Sequence, residues 1–94
     1  MAAQVVYNDD VDAFVTWTVT DAEGQDLDWA TPTIAVGNAA YGSAAWLGVA
    51  GPTRAIKLST PSGLGLTPGV YAAYLKVPSG SDFQLGLVEV RART

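Results

Sequence analysis

Apolar and polar residues alternate with a period of two along most of this chain, and this alternation constrains its fold more than any other feature. In "DAFVTWTVT", one face of an extended strand would carry Ala13, Val15, Trp17 and Val19. β-branched and aromatic residues dominate the segment, as expected for a pleated, half-buried surface. We therefore predict a strand over residues 13–20 and assign Trp17 to its inward face.

Similar short runs recur through the chain. They are "QVVYN", "TIAVG", "SAAWLGVA", "TRAIKLS", "VYAAYLKVP" and "FQLGLVEVRA". Turn-forming residues separate them, in "AEGQ", "GNAAYG", "AGPT", "TPSGLGLTPG" and "PSGSD". No long segment carries the 3.6-residue stripe of an amphipathic helix. This spacing predicts an all-β fold, an antiparallel sandwich or barrel of about seven or eight short strands.

The segment "LTPGVYAAYL" narrows the fold further. A Leu, a Pro-Gly turn and then Tyr71 at the start of a strand are similar to the tyrosine corner of immunoglobulin-like sandwiches. In that motif the phenol hydroxyl bonds back to the backbone just upstream. We assign Tyr71 to the corner and predict a single immunoglobulin-like antiparallel β-sandwich over residues 1–94.

Composition bounds the function. Charged residues make up 15% of the chain, below the roughly 25% of an average domain, while apolar residues make up 49%. A chain this small leaves part of that apolar surface outside, where it typically meets a protein partner. The absence of Cys and His removes thiol chemistry, the commonest general base and the commonest transition-metal ligand. Five bases and a net charge of −4 argue against a nucleic-acid partner.

The charges are unevenly distributed between the two halves of the chain. Residues 1–53 carry seven acids and no base, and residues 54–94 carry five bases and two acids. The halves therefore have net charges of −7 and +3. Either paired strands from the two halves mix these charges on one surface, or oppositely charged patches meet on neighbouring copies.

The acidic stretch "TDAEGQDLDWA" raises the question of a calcium loop. Such a loop has oxygen ligands at fixed offsets and a closing bidentate Glu. Here Gly24 comes too early, and no Glu follows at the right distance. A turn fits better, with Asp21 accepting a backbone N–H and Gly24 in the left-handed conformation. We predict a β-hairpin joining residues 13–20 to a segment that begins at Gln25, and no metal site.

The first ten residues allow two interpretations. "QVVY" is either the first strand of the domain's own sheet or part of an N-terminal arm, residues 1–10, lying across a neighbouring subunit. The segment has no basic start and no long apolar run, so we expect no secretory signal. The longest uncharged span, Trp29 to Thr53, is interrupted by two prolines and does not predict a membrane helix.

The pattern "VTWTVTDAEGQDLDWATPTIAVG" is similar to the opening of small immunoglobulin-like domains in tailed-phage virions, such as the N-terminal domain of the phage baseplate upper protein. The matching positions are Val15 to Thr20, Asp21 with Gly24, Leu27 with Asp28, Pro32 with Ile34, residues 69–71 and Leu87 to Val90. The resemblance implies a structural or adaptor role in a phage particle. It implies a chain made in the host bacterial cytoplasm and located in the virion.

Our leading hypothesis is a non-enzymatic virion structural protein, a capsid decoration or minor capsid protein bound to the capsid lattice. Its partners would be the major capsid protein or other virion proteins, with self-association as a further hypothesis. The candidate interface is Trp29, Tyr41, Trp46 and Leu47, because large amphipathic side chains carry interface energy. The competing interpretation of Trp46 and Leu47 makes them core residues of a central strand.

Three other functions compete with capsid decoration. The first is an adaptor module in the neck, tail or baseplate. The second is a carbohydrate-binding sandwich, in which Trp29 and Tyr41 stack on a sugar that Asp26 and Asp28 hydrogen-bond. The third is an enzyme. The candidate acids lie in turns or near the N-terminus, and no Gly-rich phosphate loop opens a helix. We therefore predict no catalytic residue and no cofactor.

Overall fold

The computed structural model describes residues 3–78 and 82–93. Its strands are β1 (Gln4–Tyr7), β2 (Phe14–Thr20), β3 (Thr33–Val36), β4 (Ala39–Tyr41), β5 (Ala44–Leu47), β6 (Thr53–Ser59), β7 (Gly69–Lys76) and β8 (Phe83–Arg91). A short helical turn, Pro61–Gly65, lies between β6 and β7. Within the described ranges, no helix has the length and apolar character needed to span a bilayer.

The strands form two sheets, which confirms the predicted all-β sandwich. One sheet has five strands in the order β1-β8-β7-β3-β4, and the other has three in the order β2-β6-β5. All pairs are antiparallel except β1 with β8, which run parallel. The first strand thus lies at the edge of the five-stranded sheet, beside the last strand.

The core lies between the inward faces of the two sheets. Its buried apolar residues are Val6, Val15, Val19, Leu27, Ile34, Val36, Ala44, Ile56, Leu58, Ala73, Leu75, Leu85, Val88 and Val90. In β2 every second side chain points inward, and Trp17 packs against the core from that face, as predicted. The alternation is thus the direct consequence of burying one face of each sheet.

A β-bulge in β8 changes its alternation. Ala73 pairs with Gly86, but the next residue of β7, Tyr74, pairs with Gln84. Leu85 is therefore the extra residue, and its side chain is buried. This explains why "FQLGLVEVRA" alternates less cleanly than the other runs.

The predicted β-hairpin at Asp21–Gly24 is wrong. The turn exists, but β2 pairs with β6 rather than with the residues that follow Gln25. After the turn the chain crosses to the other sheet, and the Leu27 N–H donates to the Gly51 carbonyl oxygen at 2.9 Å. The sequence pattern alone could not distinguish a turn that reverses the chain within one sheet from a turn that opens a crossover.

A hairpin does occur at Gly37–Asn38, between β3 and β4. The sequence pattern assigns Ala39–Tyr41 to this turn, and that assignment is wrong because the two residues reverse the chain by themselves. Gly37 has a φ of 62°, the left-handed conformation that a two-residue hairpin needs at its first position. A Cβ atom at Gly37 would also lie 2.9 Å from Tyr71 Cδ1. Both the backbone conformation and the close approach of Tyr71 therefore require glycine at this position.

The N-terminal segment is a strand of this domain's own sheet. Gln4–Tyr7 pairs with β8, and the Val6 side chain is buried in the core. Residues 1 and 2 of the proposed arm lie outside the described residues. Because residues 4–7 are held by backbone bonds and burial, the arm interpretation loses its main support.

Ion pairs join the two halves of the chain. Arg93 contacts Asp9 at 2.8 Å and Asp10 at 2.7 Å, and its guanidinium lies over the Tyr7 ring. The other ion pairs in the described ranges are Lys76–Asp82 and Arg91–Glu89. Of these pairs only those of Arg93 join the two halves, since Lys76–Asp82 and Arg91–Glu89 lie within residues 54–94. The charges of the two halves are therefore mixed at Arg93 alone among the described ion pairs.

We predict that Val6→Ala lowers the free energy of unfolding by about 2 kcal/mol, because it removes buried methyl groups and leaves a cavity. Val5→Ala is the matched control, since Val5 is 40% exposed and Val6 only 2%. Its expected effect is below about 0.5 kcal/mol. Urea denaturation measures both. Equal effects would mean that this segment is not a strand of the domain.

Candidate functional site

A cleft of about 570 Å³ opens at one end of the sandwich, between the loop that follows β2 and the connection that precedes β8. Its walls include Asp21, Glu23, Asp26, Asp28, Trp29 and Phe83. Within residues 3–78 and 82–93, none of these four carboxylates forms an ion pair. This end of the molecule therefore carries uncompensated negative charge.

One of these carboxylates, that of Asp21, already accepts a hydrogen bond from the backbone of its own turn. Asp21 Oδ1 accepts the Glu23 N–H at 2.7 Å, and the Asp21 carbonyl oxygen accepts the Gly24 N–H at 3.1 Å. Gly24 adopts a φ of 74°, as the turn requires. In the part of the chain that the structure describes, no three carboxylates are placed to hold a metal ion together. The remaining acids of the cleft are exposed and solvated.

Two of the candidate interface residues, Trp29 and Trp46, pack against each other. Their ring centroids are 5.1 Å apart and the rings are nearly perpendicular, at 88°. Trp46 Nε1–H donates to the Trp29 carbonyl oxygen at 3.1 Å, and both rings pack against the core. Edge-to-face contact and an internal hydrogen bond are typical of a buried aromatic pair. Trp46 therefore packs as core, although β5 is an edge strand and not a central one.

Arg54 holds this aromatic pair in place. Its guanidinium donates to the carbonyl oxygens of Leu27, Leu47 and Gly48 at 2.8, 3.1 and 3.0 Å. The guanidinium carbon lies 5.5 Å from the Trp46 ring centroid. One planar fork thus joins the acidic loop, the end of β5 and the ring, a geometry that Lys cannot reproduce.

Tyr41 is a clamp and does not line the cleft. Its hydroxyl donates to the Leu64 carbonyl oxygen at 2.8 Å. Burial, with a smaller contribution from nearby Tyr71, raises the pKa of the Tyr41 phenol above its usual value of 10.0. Leu64 lies in a left-handed stretch, with φ of 62°, and Ser62 has φ of 53°. Such non-glycine conformations cost energy, so the clamp has a strained segment to hold.

Tyr71 holds the same connection from its other end. Its hydroxyl donates to the Thr67 carbonyl oxygen at 2.6 Å and lies 3.1 Å from Thr67 Oγ1. This is the contact that defines a tyrosine corner. Tyr41 thus bonds the middle of the connection between β6 and β7, and Tyr71 bonds its end beside β7.

The four candidate interface residues therefore differ in what they can offer a partner. The polar groups of Tyr41 and Trp46 bind carbonyl oxygens of this chain, and Trp29 supports Trp46. Leu47 is exposed on the outer face of the three-stranded sheet. The candidate interface therefore stays a prediction, in which Leu47 is the most exposed side chain and the other three also have contacts within the fold.

A different surface, which the sequence analysis did not single out, is apolar and exposed. It lies on the outward side of the five-stranded sheet, and we call it the apolar face. Its apolar members are Ala35, Ala40, Val70, Ala72, Tyr74 and Leu87, of which Ala35, Ala72 and Leu87 are half-buried. On the same side of the sheet Gln84 lies opposite Tyr74 and Glu89 lies opposite Val70. Val70 is 59% exposed, although valine is strongly apolar. The sequence contained one indication of this surface. In "VYAAYLKVP" the residues expected to face solvent include only one charged residue, Lys76.

Two ion pairs border the apolar face. Lys76–Asp82 lies at one end of β7, with an Nζ to Oδ2 distance of 2.9 Å. Arg91–Glu89 lies toward the other end, at 2.6 Å. Hydrogen bonds from Lys76 and Arg91 lower the pKa values of Asp82 and Glu89. Each of these two ion pairs has a net charge of zero, so the apolar face carries no unpaired charge at either end.

Comparison of the chain with protein-family models, with curated proteins and with solved structures finds no match.

Arg54→Lys tests the fork. We expect a loss of about 2 kcal/mol in the free energy of unfolding, because one ammonium cannot bond three divergent carbonyl oxygens. The near-ultraviolet circular dichroism of the Trp pair should weaken in parallel. Lys57→Arg is the control, since Lys57 makes no hydrogen bond to the loop, and it should shift stability by less than about 0.5 kcal/mol. If Arg54→Lys and Lys57→Arg have the same unfolding free energy, Arg54 does not stabilise the loop and the Trp pair.

Tyr41→Phe tests the clamp through its pH dependence. At neutral pH the variant should be less stable by about 1 kcal/mol, the net worth of one hydrogen bond. The folded-state pKa of Tyr41 is raised, so its contribution is complete below pH 10 and is lost as the pH rises through that pKa. Urea denaturation of both proteins at neutral and alkaline pH measures this. If the difference in unfolding free energy between the wild type and Tyr41→Phe does not change with pH, the Tyr41 hydroxyl does not supply the stabilisation.

Proposed function

We propose that this chain is a non-enzymatic structural protein of a tailed-phage virion, and that it binds the capsid surface through its apolar face. The observation that carries the proposal is the exposed apolar face itself, bordered by self-neutralised ion pairs. The similarity of the opening segment to virion immunoglobulin-like domains supports the choice of particle. Capsid decoration is the form of this function that we propose.

The composition of the apolar face suits a protein partner. Covering apolar side chains yields roughly 25 cal/mol per Å² of surface removed from water. Because Lys76 and Arg91 are already paired, docking does not strand a free charge beneath the partner. Tyr74, opposite Ala35 in the face, brings a large ring with a polar tip, a residue type enriched at binding hot spots.

The size of the face favours a repetitive partner. A standard interface uses about 20–30 residues on each side, whereas the apolar face offers six. A single contact of this size is weak. On a capsid, many copies bind a repeated surface, and any link between neighbouring copies would add avidity. A decoration protein therefore suits this surface better than a single-copy adaptor in the neck, tail or baseplate.

The side chains of the cleft argue for a non-enzymatic role. A general acid needs a carboxyl whose surroundings hold its pKa near the working pH. Glu23, Asp26 and Asp28 are exposed to water, and the Asp21 carboxylate is bound to the backbone of its own turn. None of them is held in apolar surroundings opposite a second carboxylate, as a glycosidase pair would be.

Carbohydrate binding is the second candidate, supported by one observation. Trp29 and Phe83 line the cleft beside Asp26 and Asp28. Tyr41, the other ring assigned to a sugar site, is not part of the cleft, because its hydroxyl is bound to Leu64. Trp29 is also covered on one side by Trp46. A sugar would therefore meet a smaller aromatic platform than the sequence predicts.

Val70→Glu tests the proposal. A carboxylate at this position would be buried without a partner on docking, so binding should fall about tenfold or more. Val11→Glu is the control, because Val11 is 76% exposed and lies outside the apolar face. Both variants change the net charge equally. Co-sedimentation with purified capsids of the encoding phage measures binding.

The outcomes are distinct. We expect Val11→Glu to bind as the wild type does, and Val70→Glu to stay in the supernatant although it still folds. Its cooperative thermal unfolding should occur at a slightly lower temperature, because Glu89 lies directly opposite position 70. Equal binding by both variants would contradict docking through the apolar face. Capture of the wild type on immobilised oligosaccharides, abolished by Trp29→Ala, would favour the carbohydrate-binding alternative.

A further inference from the structure

One edge of the three-stranded sheet is open. β5 pairs with β6 on one side, and no strand in the described ranges pairs with its other side. An open edge presents unpaired backbone N–H and C=O groups that another strand can bond. Folded proteins usually block such edges with charges, proline or a covering segment.

The opposite edge of the same sheet is blocked. Gln4 Nε2 donates to the Thr16 carbonyl oxygen at 2.7 Å, and the Thr16 N–H donates to Gln4 Oε1 at 3.3 Å. The side-chain amide of Gln4 thus takes the place of a peptide group beside β2. Thr16 lies at the middle of β2, so an incoming strand finds these central groups already bonded.

On β5 only the C-terminal end has comparable protection, because the Arg54 guanidinium donates to the Leu47 and Gly48 carbonyl oxygens. The Ala44–Trp46 part of the edge has none. From Thr33 to Gly51 the chain contains neither a charged residue nor a proline. Ala45 is exposed, and Leu47 and Val49 beside it are exposed apolar side chains. Val49 is 88% exposed, the largest value for a large hydrophobic residue in the described ranges. The open edge thus adjoins apolar surface that a partner strand would cover.

We infer that β5 pairs with β5 of a second copy of this chain. A two-fold axis through the contact would join the two small sheets into one, in the order β2-β6-β5-β5-β6-β2. In such a pair only the residue at the axis lies opposite its own counterpart, and a charge at or beside the axis would therefore meet the same charge of the other copy. β5 consists of Ala44, Ala45, Trp46 and Leu47, and it can meet its own copy without repulsion.

This contact goes beyond the proposed function and does not depend on it. The apolar face lies on the five-stranded sheet, whereas β5 belongs to the other sheet. Both surfaces can therefore be occupied at once. A copy bound through its apolar face would still present β5 to a neighbour.

The contact should be weak, because β5 has only four residues. Few backbone hydrogen bonds form, and we expect a dissociation constant of ~0.1–1 mM. Sedimentation velocity of the full chain over concentrations spanning this range should show reversible dimerisation. Amide hydrogen exchange of residues 44–47 should slow as the dimer forms.

Ala45→Glu is the test variant. It places two like charges close together across the axis, and we expect dimerisation to weaken about tenfold or more. Val70→Glu is the control, because it adds the same charge on the other sheet and should dimerise as the wild type does. Leu47→Glu is a second variant at the edge. Thermal unfolding of each variant verifies the fold.

Three results would overturn the inference. They are a chain that stays monomeric at every concentration, a dimer that Ala45→Glu and Leu47→Glu leave intact, and a dimer that Val70→Glu alone disrupts. The last result would make the apolar face the self-association surface. Loss of capsid binding by Val70→Glu with dimerisation retained separates this inference from the proposed function.

Discussion

The bulge at Leu85 decides which side chains of the last strand face the core. Because side chains alternate along a strand, one extra residue exchanges the two faces of everything that follows it. After the bulge, Val88 and Val90 point inward, and Leu87 points outward. Without the bulge, Leu87 and Glu89 would point into the core in their place. The packing of the core and the composition of the apolar face therefore depend on the same residue.

Three large polar side chains stabilise the fold by bonding its loops. Arg54, Tyr41 and Tyr71 each bond backbone carbonyl oxygens where the chain leaves regular strands. A carbonyl in such a crossing has no ladder partner, so a side-chain donor satisfies it instead. These groups hold the loops against the core, and the chain achieves this without disulfide bonds, since it contains no Cys.

Two-residue alternation was sufficient to predict the sandwich and its strands apart from β4, because burial of one sheet face imposes that period. It was also sufficient to place Trp17 inward. The pairing of strands was less accessible. The turn at Asp21–Gly24 has the local chemistry of a hairpin, yet Asp21 N–H donates to the Pro52 carbonyl oxygen and the chain crosses to the other sheet. Local residues specify a turn, whereas long-range packing decides what it connects.

The candidate interface was harder to predict for a related reason. Trp29, Tyr41 and Trp46 resemble surface anchors because they are large and amphipathic, but the same properties suit a clamp whose polar tip meets a carbonyl oxygen. Sequence cannot distinguish the two roles unless the partner carbonyl is known. The apolar face is built from small side chains such as Ala72 and Ala35, whose significance emerges only when strands from distant parts of the chain lie side by side.

We propose that the chain decorates a capsid through many weak, repeated contacts. The critical measurement is the copy number of the chain relative to the major capsid protein in purified virions of the encoding phage. We expect a copy number of the same order as that of the capsid protein, because weak contacts need a repeated surface to hold. A few copies per particle would contradict capsid decoration, and absence from the particle would contradict a virion role altogether.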